Sequence, residues 1–318
     1  MEIPDLQAAR LFLEQGDDFI LTSHVNSDGD GIGGCLALRA LLTRMGKKAT
    51  ILLDGGADDY YDFMEGWDTI QRAGDFPPCR SGYLIVLDCP NLERIGDTAA
   101  YVGDEARILN IDHHQDNLRF GEANLVADSV SSTCEMIYHL TAALEIEIDA
   151  GIAAHLYTGI LYDTGGFRYS LTKPSTFDVA AALVRCGIRL DWFAAQLFDR
   201  RGFAQVKQLG QAIESLELHL DGCAAVLVLD NEQMRAGDPE DVVNYGLVRG
   251  VEVSVLLKEE ESGEFRISLR SRDRIDVSQV AARFGGGGHT KASGCRLSGD
   301  RETVRQQLLD VIAEQLNE

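Results

Sequence analysis

The chain has 318 residues, a formal net charge of −22 and a hydrophobic content of 45%. The length suggests two domains with a real core, and the acidity excludes long duplex DNA or an anionic membrane as a partner for the surface as a whole. Seven scattered cysteines without a C-x-x-C pair read as reduced thiols of a cytoplasmic protein, with no signal peptide and no apolar stretch of membrane-spanning length.

Residues 4–14 pattern as a helix with Leu6, Ala9, Leu11 and Leu13 on one face, and 17–22 as a first strand. A glycine-rich turn follows, then a helix over 33–45 closed by Gly46, and a strand over 48–53. A loop with a short helix runs to Pro77-Pro78. The apolar runs 83–87 and 107–111 end at Asp88 and at Asp112-His113-His114. Helices are expected at 131–144, 150–162, 175–186 and 190–198. Short apolar strands alternating with helices point to an α/β fold whose parallel sheet is covered on both faces.

A helix of mixed charge at 203–214 leads into a different pattern. A strand from Leu216, a turn at Asp221-Gly222 and a strand over 224–229 come first, then a helical segment at 239–248. A hairpin pairs 252–258 with 264–270, a helix covers 277–284, and 301–316 is a closing helix. The expected division is a catalytic domain at 1–190, a helical connector at 191–215 and a smaller α/β domain at 216–318.

The chemistry concentrates at four stations: His24, Asp28 and Asp30 in the first turn, then Asp88, then Asp112-His113-His114, then Asp163 at a helix end beside Gly165-Gly166. Those that follow strands can converge at the carboxyl edge of a sheet. Histidine with carboxylates and no thiolate suits a fairly hard divalent ion such as manganese or magnesium, with zinc as an alternative. Six to seven candidate ligands suggest two ions sharing a carboxylate, an arrangement suited to phosphoester hydrolysis. Each station also has a plainer reading, as a helix cap or a strand end. Residues 263–296 carry seven Arg or Lys against three Asp or Glu, so a small anion could gather there. Within that stretch, the run Gly285 to Gly288 before His289 suits phosphate. His139, His155 and His219 read as structural, as Arg272, Arg274 and Arg283 do as solvated charges. Lys291 is a weaker phosphate contact, and Ser131 and Ser132 are a helix start that could touch substrate.

H-x-x-x-D-x-D at 24–30, Asp88, D-H-H at 112–114 and Asp163 resemble the four motifs of the DHH phosphoesterases. The run Gly285 to Gly294 is similar to the GGGH motif of the DHHA1-type substrate domain that accompanies them. The compact length most resembles the bacterial nanoRNases, or oligoribonuclease/pAp-phosphatases. The resemblance implies one manganese on His24, Asp28 and Asp88, and a second on Asp30, Asp88, His113 and Asp163. Magnesium, cobalt or zinc are alternatives. It implies that His114 steadies the scissile phosphate or leaving group and that Asp112 orients the histidines. Gly286, Gly287, Gly288 and His289 would hold a nucleotide phosphate. Arg270, at a strand end, is the candidate for a second phosphate contact.

The expected reaction is manganese-dependent hydrolysis of short oligonucleotides, and of the 3′-phosphate of 3′,5′-bisphosphoadenosine, in a cleft between the domains. Long duplex DNA and membranes are not expected partners; family members are often dimers. A cyclic-dinucleotide phosphodiesterase is the main rival. A long-strand exonuclease would need a further domain, and a family pyrophosphatase would lack the glycine–histidine run. A nucleotide sensor with vestigial activity would have lost a ligand, and none is missing.

Overall fold

The computed structural model describes residues 5–237 and 239–316. The chain divides into two compact units, Met1–Arg200 and Arg201–Glu318, each with its own sheet.

The first unit opens with α1 (Leu6–Gln15), β1 (Phe19–Thr22), α2 (Gly29–Arg44), β2 (Ala49–Leu53), the short β3 (Gln71–Arg72) and β4 (Ser81–Leu87). β5 (Val102–Asp112) and β6 (Ala123–Val126) complete the sheet. Four helices follow: α3 (Thr133–Ala143), α4 (Ala150–Asp163), α5 (Pro174–Arg185) and α6 (Leu190–Phe198). All the strands run parallel, in the order β3-β2-β1-β4-β5-β6.

Such a sheet needs cover on both faces, and alternate residues of each strand supply two cores. Leu21, Ile51, Ile85 and Leu109 pack with Leu36, Ile137 and Leu156 of α2, α3 and α4. Ile20, Leu52, Leu84 and Val86 pack with Ile95 and Tyr101 on the other face. The chain leaves β1 toward β2 and β3, then returns to β4 on the opposite side. β1 and β4 therefore flank the reversal of strand order, where a crevice opens beyond the carboxyl ends.

Several features differ from the sequence-based expectation. α2 starts at Gly29, so the glycine-rich stretch is its first turn rather than a loop. Its low helical propensity is overridden by packing: a Cβ on Gly33 would lie 2.7 Å from the carbonyl oxygen of His155, so its absence lets α4 approach closely. β6 was not expected, because Ala-Asn-Leu-Val is short and shows no clean alternation; its pairing with β5 makes it a strand.

The second unit holds α7 (Phe203–Glu214), β7 (Glu217–His219), β8 (Ala224–Leu229), β9 (Val253–Glu261) and β10 (Glu264–Ser271). It continues with α8 (Val277–Ala282), β11 (Gly287–His289), β12 (Ala292–Ser298) and α9 (Arg301–Leu316). Its sheet order is β11-β12-β10-β9-β8-β7, antiparallel except between β8 and β9. Val255, Leu257, Ile267 and Leu269 pack against Val280 of α8 and Leu308 and Ile312 of α9. Leu227 and Leu256, on the opposite face, pack with Ala212 of α7 and with Val242 and Val243. The glycine run is partly a strand, since β11 pairs with β12. Among the described residues no helix is long and apolar enough to cross a membrane.

Candidate metal centre

Three strand ends and two helix ends of the first unit deliver eight side chains to one place. His24 follows β1, Asp88 follows β4, Asp112 ends β5, Asp28 and Asp30 begin α2, and Asp163 ends α4. Their ligand atoms form three overlapping groups: His24, Asp28 and Asp88; Asp30, His113 and Asp163; and Asp88, Asp112, His113 and His114. Within each group the atoms lie within 4.8 Å of one another.

His24 and Asp28 are each oriented by a bond that leaves another atom facing the cluster. His24 Nδ1 donates to the carbonyl of Val25 at 2.8 Å, which turns Nε2 toward Asp28 Oδ2 at 3.9 Å and Asp88 Oδ2 at 3.5 Å. Asp28 Oδ1 caps α2 by accepting from the amides of Asp30 and Gly31, and Oδ2 remains for the cluster. The capping reading of Asp28 thus holds through one oxygen, and the other stays on the cluster side. Asp30 is fully buried, and its two oxygens accept from the amides of Thr133 at 2.6 Å and Cys134 at 2.9 Å at the start of α3.

Asp88 occupies the left-handed region, with φ of 53°, a conformation uncommon for a residue other than glycine. Its Oδ1 lies 3.6 Å from His113 Nε2, and among the described residues no hydrogen-bond partner reaches this buried oxygen. His113 Nε2 also lies 3.0 Å from Asp163 Oδ2. Asp112 Oδ1 accepts from the His113 amide at 2.8 Å and from His114 Nδ1 at 2.7 Å, while Oδ2 accepts from Asn117 at 2.6 Å. Asp112 thereby accepts three bonds, fixing the ring of His114 and the backbone of His113.

Sequence reasoning missed Asn110 and Asn117. Asn117 Nδ2 reaches Asn110 Oδ1 at 2.8 Å, and Asn110 Nδ2 donates to the carbonyl of Val86. The available signal was an amide side chain inside the apolar run 108–111, since a buried polar group needs partners.

The electrostatics are those of a buried anionic cage. Burial, and then the charge of Asp88, push the Asp28 carboxyl up to about 7. Asp30 is driven well above the usual carboxylate range by burial and then by Asp163 and Asp88. Burial disfavours the charged form of His24, but Asp88 and Asp28 outweigh it and raise the imidazole to about 9. Burial would likewise raise Asp88, but His113, His24 and His114 hold it well below the usual range.

The donor set fits divalent cations. Two atoms each about 2.1 Å from one ion are at most about 4.2 Å apart, and the His24–Asp28, His24–Asp88 and His113–Asp88 separations of 3.9, 3.5 and 3.6 Å fall within that span. Gaps of 3.5 Å and more are too long for good hydrogen bonds. Protonated imidazoles supply, in part, the positive charge that cations would bring.

In the second unit, Arg270 pairs with Ala292 across one ladder and His289 pairs with Ala292 across the next. Directly opposed residues share a face, so Arg270 and His289 stand on one side of the sheet, two strand spacings apart. A Cβ on Gly286 would lie 2.2 Å from the Gly294 carbonyl oxygen, and Gly288 has φ of 137°, so both positions require glycine. Arg272 donates to the carbonyls of Leu247 and Val251, and Arg283 pairs with Glu314. Lys291 reaches the carbonyl of Asp273. Ser132 caps α3, and Ser131 bonds Glu135. Among the described residues His139, His155 and His219 join none of the ligand groups.

Residues 18–160 match the N-terminal domain of the DHH family, and residues 207–318 match the DHHA1 domain. The chain is 34% identical to the bifunctional oligoribonuclease and PAP phosphatase NrnA of Thermus thermophilus, over 95% of this chain and 91% of that protein. It is 26% identical to a probable bifunctional oligoribonuclease and PAP phosphatase NrnA of Streptococcus mutans, over 93% and 95% of the two chains. The crystal structure of an exopolyphosphatase-related protein from Bacteroides fragilis superposes with a TM-score of 0.90 at 26% identity, covering 99% of this chain and 98% of the other. With both domains matched in order along the chain and a relative 34% identical over nearly its whole length, the chain belongs to the DHH family of phosphoesterases, in the form that carries a DHHA1 domain.

Proposed function

We propose that the protein hydrolyses phosphoester bonds in short oligonucleotides, and the 3′-phosphate of 3′,5′-bisphosphoadenosine, with two divalent cations, manganese foremost. Its NrnA relatives are named for those two activities. His24, Asp28 and Asp88 would hold one cation. Asp30, His113 and Asp163 would hold the other, with Asp88 shared. Such a pair supplies Lewis acidity toward a phosphoryl oxygen and lowers the pKa of water. The carrying observation is that Asp88 turns one oxygen toward His24 at 3.5 Å and the other toward His113 at 3.6 Å, so one carboxylate faces both ligand sets.

The remaining roles belong to the protein's own groups. His114, its Nδ1 fixed by Asp112, would donate to the scissile phosphate or protonate the leaving oxygen. The second unit would bind substrate. Gly286 to Gly288 admit a phosphate close to the backbone, and Arg270 and His289 would hold the nucleotide from one face of the sheet. Seven unpaired cysteines support a cytoplasmic setting.

The test is a hydrolysis panel with manganese: di- to pentanucleotides, 3′,5′-bisphosphoadenosine and cyclic dinucleotides. The parent protein should turn over the short RNAs and the bisphosphate. Asp88→Ala and Asp88→Asn should abolish turnover and lower cation stoichiometry while retaining the circular dichroism of the parent. Undiminished hydrolysis in Asp88→Asn would overturn the shared-carboxylate reading. A preference for cyclic dinucleotides alone would overturn the substrate assignment.

A further inference from the structure

Glu135 is fully buried, yet it belongs to none of the ligand groups. It is the third residue of α3, after the cap Ser132, whose Oγ accepts from the Glu135 amide at 3.0 Å. In a capping box, glutamate at this position reaches back to the amide of the cap residue itself. Here its Oε2 accepts instead from the amide of Ser131 at 3.1 Å, the hydroxyl of Ser131 at 2.5 Å and the hydroxyl of Thr176 at 3.0 Å. Thr176 lies in the first turn of α5 and also accepts from the Lys173 amide. One carboxylate oxygen thus ties the approach to α3, the helix itself and the start of α5. A solvent-facing cap requires none of this burial.

What α3 presents at that end is the grip on Asp30. Both Asp30 oxygens depend on amides of α3, those of Thr133 and Cys134. A shift of this helix end by a fraction of an ångström moves Asp30 relative to His113 and Asp163. Asp28 has no such dependence, because its orienting amides belong to its own helix. We infer that Glu135 is a positioning residue that sets Asp30 through the first turn of α3, and so tunes the Asp30–His113–Asp163 ligand set while leaving His24–Asp28–Asp88 alone. The inference rests on the two-cation reading for its consequence but not for its geometry.

The experiment uses the full chain with three substitutions. Glu135→Gln keeps the reach and a carbonyl oxygen to accept the same bonds. Glu135→Asp keeps the charge and loses the reach. Glu135→Leu loses both. Manganese binding is followed by electron paramagnetic resonance, and exchange at the amides of Thr133 and Cys134 by hydrogen–deuterium exchange on the metal-free protein. Glu135→Asp and Glu135→Leu should weaken one class of manganese site by about 10- to 100-fold, as loss of orienting partners does. The other class should stay within about twofold, and Glu135→Gln should restore the parent behaviour. Exchange at Thr133 and Cys134 should accelerate in Glu135→Asp and not in Glu135→Gln. Equal weakening of both classes, or unchanged exchange at those two amides in Glu135→Asp, would overturn the role of Glu135. A parent protein that takes up one manganese only would overturn the two-cation reading, and the exchange measurement would still decide Glu135.

Discussion

His114 Nδ1 donates to Asp112 Oδ1 at 2.7 Å, two residues back along the same chain. That bond fixes the ring for the role proposed above. His114→Ala should therefore lower kcat on a short RNA by about 10²- to 10³-fold, the usual cost of one lost donor to developing charge. Manganese stoichiometry should not change. Asp112→Asn keeps the shape but replaces one accepting oxygen by a donor; it should lower kcat less than His114→Ala and shift the pH profile. Steady-state kinetics with parallel manganese titrations separates the two, and a lost cation in His114→Ala would make His114 a ligand.

Gly159 lies on α4 directly against the cage. A Cβ there would stand 2.4 Å from Asp30 Oδ1 and 2.3 Å from Cys134 Sγ, both on fully buried residues. Gly159→Ala should cost about 1–3 kcal/mol of stability through overpacking. Its manganese affinity should fall about tenfold or more, because the displaced carboxylate is a proposed ligand. Urea unfolding and manganese titration measure the two effects, and a variant with parent values in both would show that Asp30 can move freely.

Cation uptake should release protons. His24, raised to about 9, is charged at pH 7, and Asp28, raised to about 7, is about half protonated there. A cation must displace the His24 proton and the part-occupied proton of Asp28, so affinity should climb as pH rises from 6 to 9. Calorimetric titration at pH 7 in two buffers of different ionisation enthalpy counts the protons. A buffer-independent heat would contradict the protonation state of the metal-free cage.

Long periodic elements were legible in the sequence. The helices at 190–198, 203–214 and 301–316 match α6, α7 and α9 residue for residue, because each carries a sustained pattern. The first turn of α2 was not legible, since glycine is a poor helix former and the Asp28 cap together with close packing, as of Gly29 on Tyr162 of α4, overrides that. β6 and β11 are short, and cross-strand partners define them. In the site, histidines and aspartates at strand ends were visible as such. Asn110, Asn117 and Glu135 were not, because their partners are brought to them by the fold: Glu135 and Thr176 are 41 residues apart in sequence.

His155 gives the first unit an acid-sensitive element outside the cage. Burial, and then the charge of Arg39, lower its pKa from 6.5 to about 4, and its Nδ1 has no hydrogen-bond partner among the described residues. Between those values the unfolded chain binds a proton that the folded chain refuses, so stability falls as pH drops from 6.5 toward 4. The full loss is about 3 kcal/mol at most. Urea midpoints at pH 7, 5.5 and 4.5 should decline more steeply for the parent than for His155→Gln. Parallel declines would refute the assignment.

The amide of Cys134 holds Asp30, and its thiol is sealed between α2 and the glycine face of α4. Burial and the adjacent Asp30 charge keep that sulfur protonated, well above the ordinary thiol range. An alkylating reagent can reach it only while the two helices part. The sulfur is thus a built-in clock for the breathing of the cage, and occupancy by cations should slow it.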